Sequence, residues 1–196
     1  MKFIAAVAGL IIIGSGFAGA TEEPKILEKV TPLPVAPSKD FEFRKTRLYF
    51  LSETGPKRQT ARQTTSALSP KALSGSAPSE KTATLQDAPI TFERQYRLFG
   101  AVTKLDQRQR CGDYFDFFWR TKRPADLTVR LEYRQEKLHE HVQAQEISYR
   151  NARGTHKTEF KVIGDDYFDD GRVIAWRCLL IEGGRIVAQN RSYMWE

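Results

Sequence analysis

The stretch AWRCLLIEGGRIVAQNRSYMW, from Ala175 to Trp195, alternates apolar and polar residues on either side of Glu182, Gly183 and Gly184. Alternation with period two puts every second side chain on one face, the mark of a strand with one buried side. Paired glycines supply the positive backbone angles of a tight turn, so the stretch predicts an antiparallel hairpin. A lone hairpin is barely stable in water and has to cover its apolar face with further strands.

Upstream runs offer those partners. ITFERQYRLFGAVTK places Ile90, Phe92, Tyr96, Leu98 and Val102 on one parity, and RCGDYFDFFWRT does the same with Cys111, Phe115, Phe117 and Trp119. In DLTVRLEYR, Leu127, Val129, Leu131 and Tyr133 alternate with Thr128, Arg130, Glu132 and Arg134. Weaker runs cover Val142 to Tyr149 and HKTEFKVI, and RVIAWRCLLI opens the final hairpin. Seven short strands without helical periodicity predict an all-β domain over residues 89–196, an antiparallel β-sandwich of two sheets packed face to face.

The N-terminal half reads differently. MKFIAAVAGLIIIGSGFAGA has a lysine at position 2, an apolar run from Phe3 to Phe17 and a small-residue ending at Ala20. This matches a signal peptide over residues 1–20, which implies export to the periplasm or beyond. The rival reading keeps the same run as an uncleaved membrane anchor. Residues 21–55 follow as an extended tether, because Pro24, Pro32, Pro34 and Pro37 block helix interiors and central strands. Within it, FEFRKTRLYFLSETG alternates enough to form a short strand or docking segment. Residues 56–88 are rich in Ser, Thr, Ala and Lys, too poor in apolar surface to offset the entropy of ordering, and read as a disordered linker.

A net charge of +7 would suggest nucleic acid for a cytosolic chain, but an exported one rarely meets it, and both halves mix the two signs. No nucleic-acid partner is expected. Any membrane contact is expected only through the signal segment if it is retained.

By parity, Trp176, Cys178 and Leu180 share a face of the sixth run, as Cys111 does with Phe115, Phe117 and Trp119 in the second. Cysteines on a second and a sixth strand, each beside tryptophan, resemble the immunoglobulin-like β-sandwich. Trp176 stands where immunoglobulin domains place a tyrosine, so the likeness is one of general topology over the last hundred or so residues. The resemblance implies an inter-sheet disulfide between Cys111 and Cys178, which export would favour. Two buried free thiols are the alternative.

Chemistry-bearing patterns are few. Asp165, Asp166, Asp169 and Asp170 crowd GDDYFDDG and raise the question of calcium, but Phe168 and Arg177 occupy two positions where an EF-hand loop needs ligands. A solvated turn is the expected reading. His139, His141 and His156 could make up a zinc triad only if the fold gathers them. Asp113 and Asp116 stand three apart, which on a strand directs them to opposite faces. No Gly-x-Ser-x-Gly elbow, His-Glu-x-x-His helix or phosphate-binding glycine loop occurs, so no catalytic residue, metal or cofactor is expected.

The expected function is that of a non-enzymatic envelope or secreted interaction module with a protein or glycan partner. A carbohydrate-binding module on exposed aromatics, with Tyr114, Phe118, Tyr193 and Trp195 as candidates, is the alternative. A metal-dependent enzyme is the third.

Overall fold

The computed structural model describes residues 24–27, 30–53 and 87–195. The expected signal segment, and the linker apart from its last two residues, lie outside the described residues. In chain order the elements are β1 (Lys25–Leu27), β2 (Phe41–Leu51), α1 (Asp87–Leu98), α2 (Lys104–Gln109), β3 (Gly112–Gln135), β4 (Val142–Ile163), α3 (Asp165–Asp170), β5 (Val173–Glu182) and β6 (Arg185–Arg191).

The strands form one antiparallel sheet of six, ordered β1-β4-β3-β5-β6, with β2 also paired to β3. The predominance of antiparallel β structure is as expected, but the three described helices and a single sheet of six strands, in place of seven strands in two sheets, are not. Two pairs of the expected short strands are single long ones. The runs around Phe117 and Val129 together make β3, of 24 residues, and those around Ile147 and Phe160 make β4, of 22. Where the alternation breaks, the chain bends instead of reversing. The β3/β4 register shifts between Thr121 and Leu127, around Pro124. Opposite it, Asn151 and Gly154 take φ of 50° and 86°. A proline removes a ladder donor and is accommodated where pairing is interrupted.

The bend curls the sheet around a core. Along one edge of β3, β2 pairs with Gly112 to Thr121 and β5 with Thr128 to Gln135. Curling brings β5 and β6 over β2. The Phe117 and Trp176 rings meet edge to face at 5.4 Å, and Asn190 Nδ2 donates 2.7 Å to Thr46 Oγ1. Phe115, Phe117, Trp119, Val129, Leu131, Phe160, Cys178 and Leu180 fill the enclosed space. Full burial of each large side chain contributes on the order of 2 kcal/mol.

The proline-rich segment ahead of β2 is extended, and it packs as a strap on the face of the final hairpin opposite the main core. Ile186 N donates to Pro34 O at 2.9 Å, Ala36 N returns 2.8 Å to Ile186 O, and Ser38 N bonds Val187 O at 3.0 Å. Leu33 covers Leu179, Ile181 and Ile186, the alternate side chains of the final hairpin. On the same face Glu132, 1% exposed, accepts 2.6 Å from Arg177, while Arg130 bonds Glu146 at 2.5 Å and reaches Thr31 O at 3.3 Å. A carboxylate so buried is tolerated because cations and hydrogen bonds surround it.

The expected bridge between Cys111 and Cys178 is not formed. Both are buried free thiols. Cys178 lies in the main core, opposite Leu131, whereas Cys111 packs with Leu51 and Tyr114 in a separate cluster. The reason is local: Gly112, at φ 140°, interrupts the alternation and turns Cys111 away from the face of Phe115 and Phe117.

Candidate functional site

The run predicted as the first strand of the domain is helical. Phe92, Tyr96 and Phe99 share a parity only in part but recur at i, i+4 and i+7, one side of a helix. Pro89 falls in the first turn of α1, where the missing N–H costs nothing. Glu93 and Arg97 pair one turn apart at 2.9 Å, and Gly100, at φ 82°, takes the left-handed conformation that ends the helix. α2 follows at once, opened by a capping box in which Thr103 and Asp106 exchange hydrogen bonds of 2.9 and 3.1 Å.

Helix α1 sits on the sheet with its polar face inward. Arg94 donates 2.8 Å to Ser52 O, and Arg97, whose side chain is 7% exposed, donates 2.7 Å to Glu159 Oε1 and lies 4.2 Å over the Tyr114 ring. Among the described side chains of α1, Leu98 is the apolar one that joins the small cluster of Leu51, Cys111 and Tyr114. Arg110 clamps the end of the helix through Arg97 O at 3.1 Å and through Phe99 O. A cation among the last carbonyls of a helix complements its dipole.

The polar floor is an ion-pair network. Asp116 Oδ2 is 3.0 Å from Lys157 Nζ and 3.9 Å from Arg97, and Glu159 is 3.4 Å from Lys161 and 3.5 Å from Lys157. Burial alone would raise the Glu159 carboxyl, but Lys161, Arg97 and Lys157 together hold it below the usual carboxylate range. Tyr114 is pushed up to about 12, chiefly by burial, so its hydroxyl stays neutral and donates 2.6 Å to Arg110 O.

The apolar face of the helical pair looks outward. Phe92 and Tyr96 of α1, Phe99 and Val102 at the junction and Leu105 of α2 are between 65% and 86% exposed. Scattered exposed apolar residues are ordinary, but five within residues 92–105, carried on α1, the turn at Gly100 and α2, make an apolar stripe along the chain that soluble surfaces avoid. Beside it runs a shallow cleft of about 440 Å³ bounded by Tyr96, Phe99, Arg110 and Lys161. Sequence reasoning places Phe92, Tyr96 and Val102, with Ile90 and Leu98, on one parity of a strand and makes no reading of Phe99 or Leu105. The spacing that would have identified the helix was present, but nothing in the sequence indicates that its charged side faces in.

The candidates from the sequence are dispersed. Asp113 accepts 2.9 Å from Val173 N and its carboxyl is raised by burial, while Asp116 faces α1, so the two point apart as their spacing requires. Asp165, Asp166, Asp169 and Asp170 lie on α3 and not in a loop. Burial and then the neighbouring Asp170, Asp165 and Asp169 raise Asp166. Lys137 Nζ bonds the carbonyls of Phe168 and Asp169 at the end of that helix, at 2.8 and 2.9 Å. His139 and His141 occupy the β3–β4 turn, and His156 stacks on Trp119 at 4.6 Å. Among the described residues no group of three or more His, Cys, Asp or Glu side chains is placed to hold a metal ion.

Of the four candidate ligand aromatics, Tyr114 and Trp195 are buried, Phe118 lies beneath Arg47 and Lys157, and Tyr193 is open to solvent. No described helix is long and apolar enough to cross a membrane. No protein-family model matches the chain, and neither the curated proteins nor the solved structures provide a match.

Proposed function

We propose that the chain is an exported, non-enzymatic interaction module that uses the α1–α2 helical pair as its contact surface. The observation that carries this reading is the inverted helix: Arg97 is buried against the sheet while Phe92, Tyr96 and Phe99 face solvent. An amphipathic helix normally gives its apolar face to its own core, so one that withholds it is set up to cover that face with something else. The ion pairs of Arg97 and the Arg94 bonds to the end of β2 fix the helix in this orientation without using the stripe.

The test is a triple replacement of Phe92, Tyr96 and Phe99 by serine in the full chain, followed by fractionation of the native envelope. Because these side chains are exposed, the variant should keep its circular dichroism and melt close to the parent, each change costing within about 0.5 kcal/mol. It should lose its association with the envelope fraction. Equal partitioning of parent and variant would rule out the stripe as the contact surface.

A further inference from the structure

We infer that the occupant of the stripe is an anionic bilayer surface, into whose headgroup layer α1 and α2 lay their apolar side; this rests on the contact-surface reading above. Three observations point to lipid. The stripe lies on the outside of a helical pair, with Tyr96 among Phe92, Phe99, Val102 and Leu105, the mix of ring and aliphatic side chains that helices lying in a membrane interface use. Cations accompany it: Lys104 opens α2, Arg108 stands in its last turn, and Arg110 bounds the adjoining cleft together with Tyr96 and Phe99. Of the acids in the same region, Glu93 and Glu159 pair with Arg97, while Asp106 keeps its charge within the Thr103 cap and is outnumbered by Lys104, Arg108 and Arg110. The rim therefore presents positive charge to phosphate headgroups, in a chain whose net charge is +7.

The third observation is the chain itself. The sequence before Pro24 contains the apolar run Phe3 to Phe17 behind Lys2. Retained as an anchor, that run holds the domain next to a bilayer. An anchored domain meets the surface at an effective concentration far above its bulk value, so a stripe of modest affinity suffices.

The experiment places an environment-sensitive fluorophore on Val102→Cys in the full chain, with Tyr193→Cys as an exposed control off the helical pair; the two native thiols are buried. The chain is mixed with vesicles of phosphatidylcholine and phosphatidylglycerol carrying a doxyl-labelled lipid. The expected result is a blue shift and doxyl quenching at position 102 and neither at 193, with quenching weakened by added salt and by pure phosphatidylcholine. Tyr96→Glu together with Phe99→Glu should weaken it about tenfold or more while circular dichroism is unchanged. A position-102 label that stays as wet as the control, on vesicles holding the chain through its N-terminal run, overturns the lipid assignment. Protection that grows with protein concentration without vesicles assigns the stripe to a second copy, and protection by envelope extract but not by lipid assigns it to a protein. Either result overturns the lipid inference and leaves the contact-surface reading standing.

Discussion

Arg97 Nη1 on α1 donates a 2.7 Å hydrogen bond to Glu159 Oε1 on β4, joining the helix to the sheet across 62 positions of sequence. The Arg97 side chain is withdrawn from water and that of Glu159 is half-buried, so their attraction is less screened than that of a surface pair. Arg97→Met keeps the apolar stem over Tyr114 and removes the charge. Since Lys157 and Lys161 still neutralise Glu159, the expected loss is about 1–2 kcal/mol, read as a lower urea midpoint.

The same contact sets an acid limit. The Glu159 carboxyl is held below its ordinary value in the folded state, so its contribution is full above the unfolded carboxylate pKa of about 4.3 and disappears as pH falls through the folded value. Melting temperature should fall on acidification through that window. Glu159→Gln should be less stable than the parent at neutral pH and converge on it in acid. A parent and variant separated by a constant interval at every pH would assign no such role to Glu159.

Gly112 is a position where only glycine fits. A Cβ built there would lie 2.2 Å from Val162 O and 2.8 Å from Ile163 Cα, and φ is 140°. Both obstacles are backbone on the neighbouring strand, so relief requires moving β4. Gly112→Ala is expected to cost more than about 3 kcal/mol, or to prevent folding. Gly183→Ala, with φ 55° and open space around it, should cost only about 1 kcal/mol. Denaturant titration of the pair separates a steric requirement from a conformational preference.

How much of this was readable depended on which residues carried the information. The alternation of Leu127 to Tyr133 does mark the buried face of β3, and Gly183 and Gly184 do make the β5–β6 turn, because period and turn chemistry are local properties. The break between Trp119 and Leu127 was visible as well, but a proline between two apolar runs looks alike whether the chain reverses or bends, and here it bends. Parity counting paired Cys111 with Phe115 and failed at one residue, Gly112, whose positive φ is set by the close approach of β4. The contact stripe was the least legible part. Phe92, Tyr96 and Phe99 carry a helical period, but their outward direction follows from where Glu159 and Ser52 lie to receive Arg97 and Arg94, which is tertiary information.

The C-terminal aromatics should separate cleanly. Trp195 is 6% exposed, its ring covered by Arg134 and Arg177 at 4.9 and 5.0 Å, whereas Tyr193 is 98% exposed. Trp195→Ala is expected to cost about 3 kcal/mol or more, and Tyr193→Ala less than about 0.5 kcal/mol. Thermal melts of the two variants would reverse this order only if the chain end packs through Tyr193.

The two cysteines offer a test of the curled single sheet against two bridged ones. Cys178 is wholly enclosed and burial raises its thiol well above the ordinary value, while Cys111 lies under the helical pair and donates to Gln107 O at 3.3 Å. Peptide mapping of oxidised, folded protein should recover no crosslink, and alkylation should modify each thiol only as its own cluster opens. Under native conditions Cys111 should react first, because its cluster of Leu51 and Tyr114 opens when α1 and α2 lift, whereas Cys178 requires the main core to open. Serine substitutions should diverge in the same direction. Cys111→Ser keeps a donor for Gln107 and should be near neutral, but Cys178→Ser places a hydroxyl among Leu131, Leu180 and Val129 and should cost about 1–3 kcal/mol. Equal effects at the two positions, or a recovered Cys111–Cys178 peptide pair, would mean that the two clusters are one and that the sheet closes differently from the curl described above.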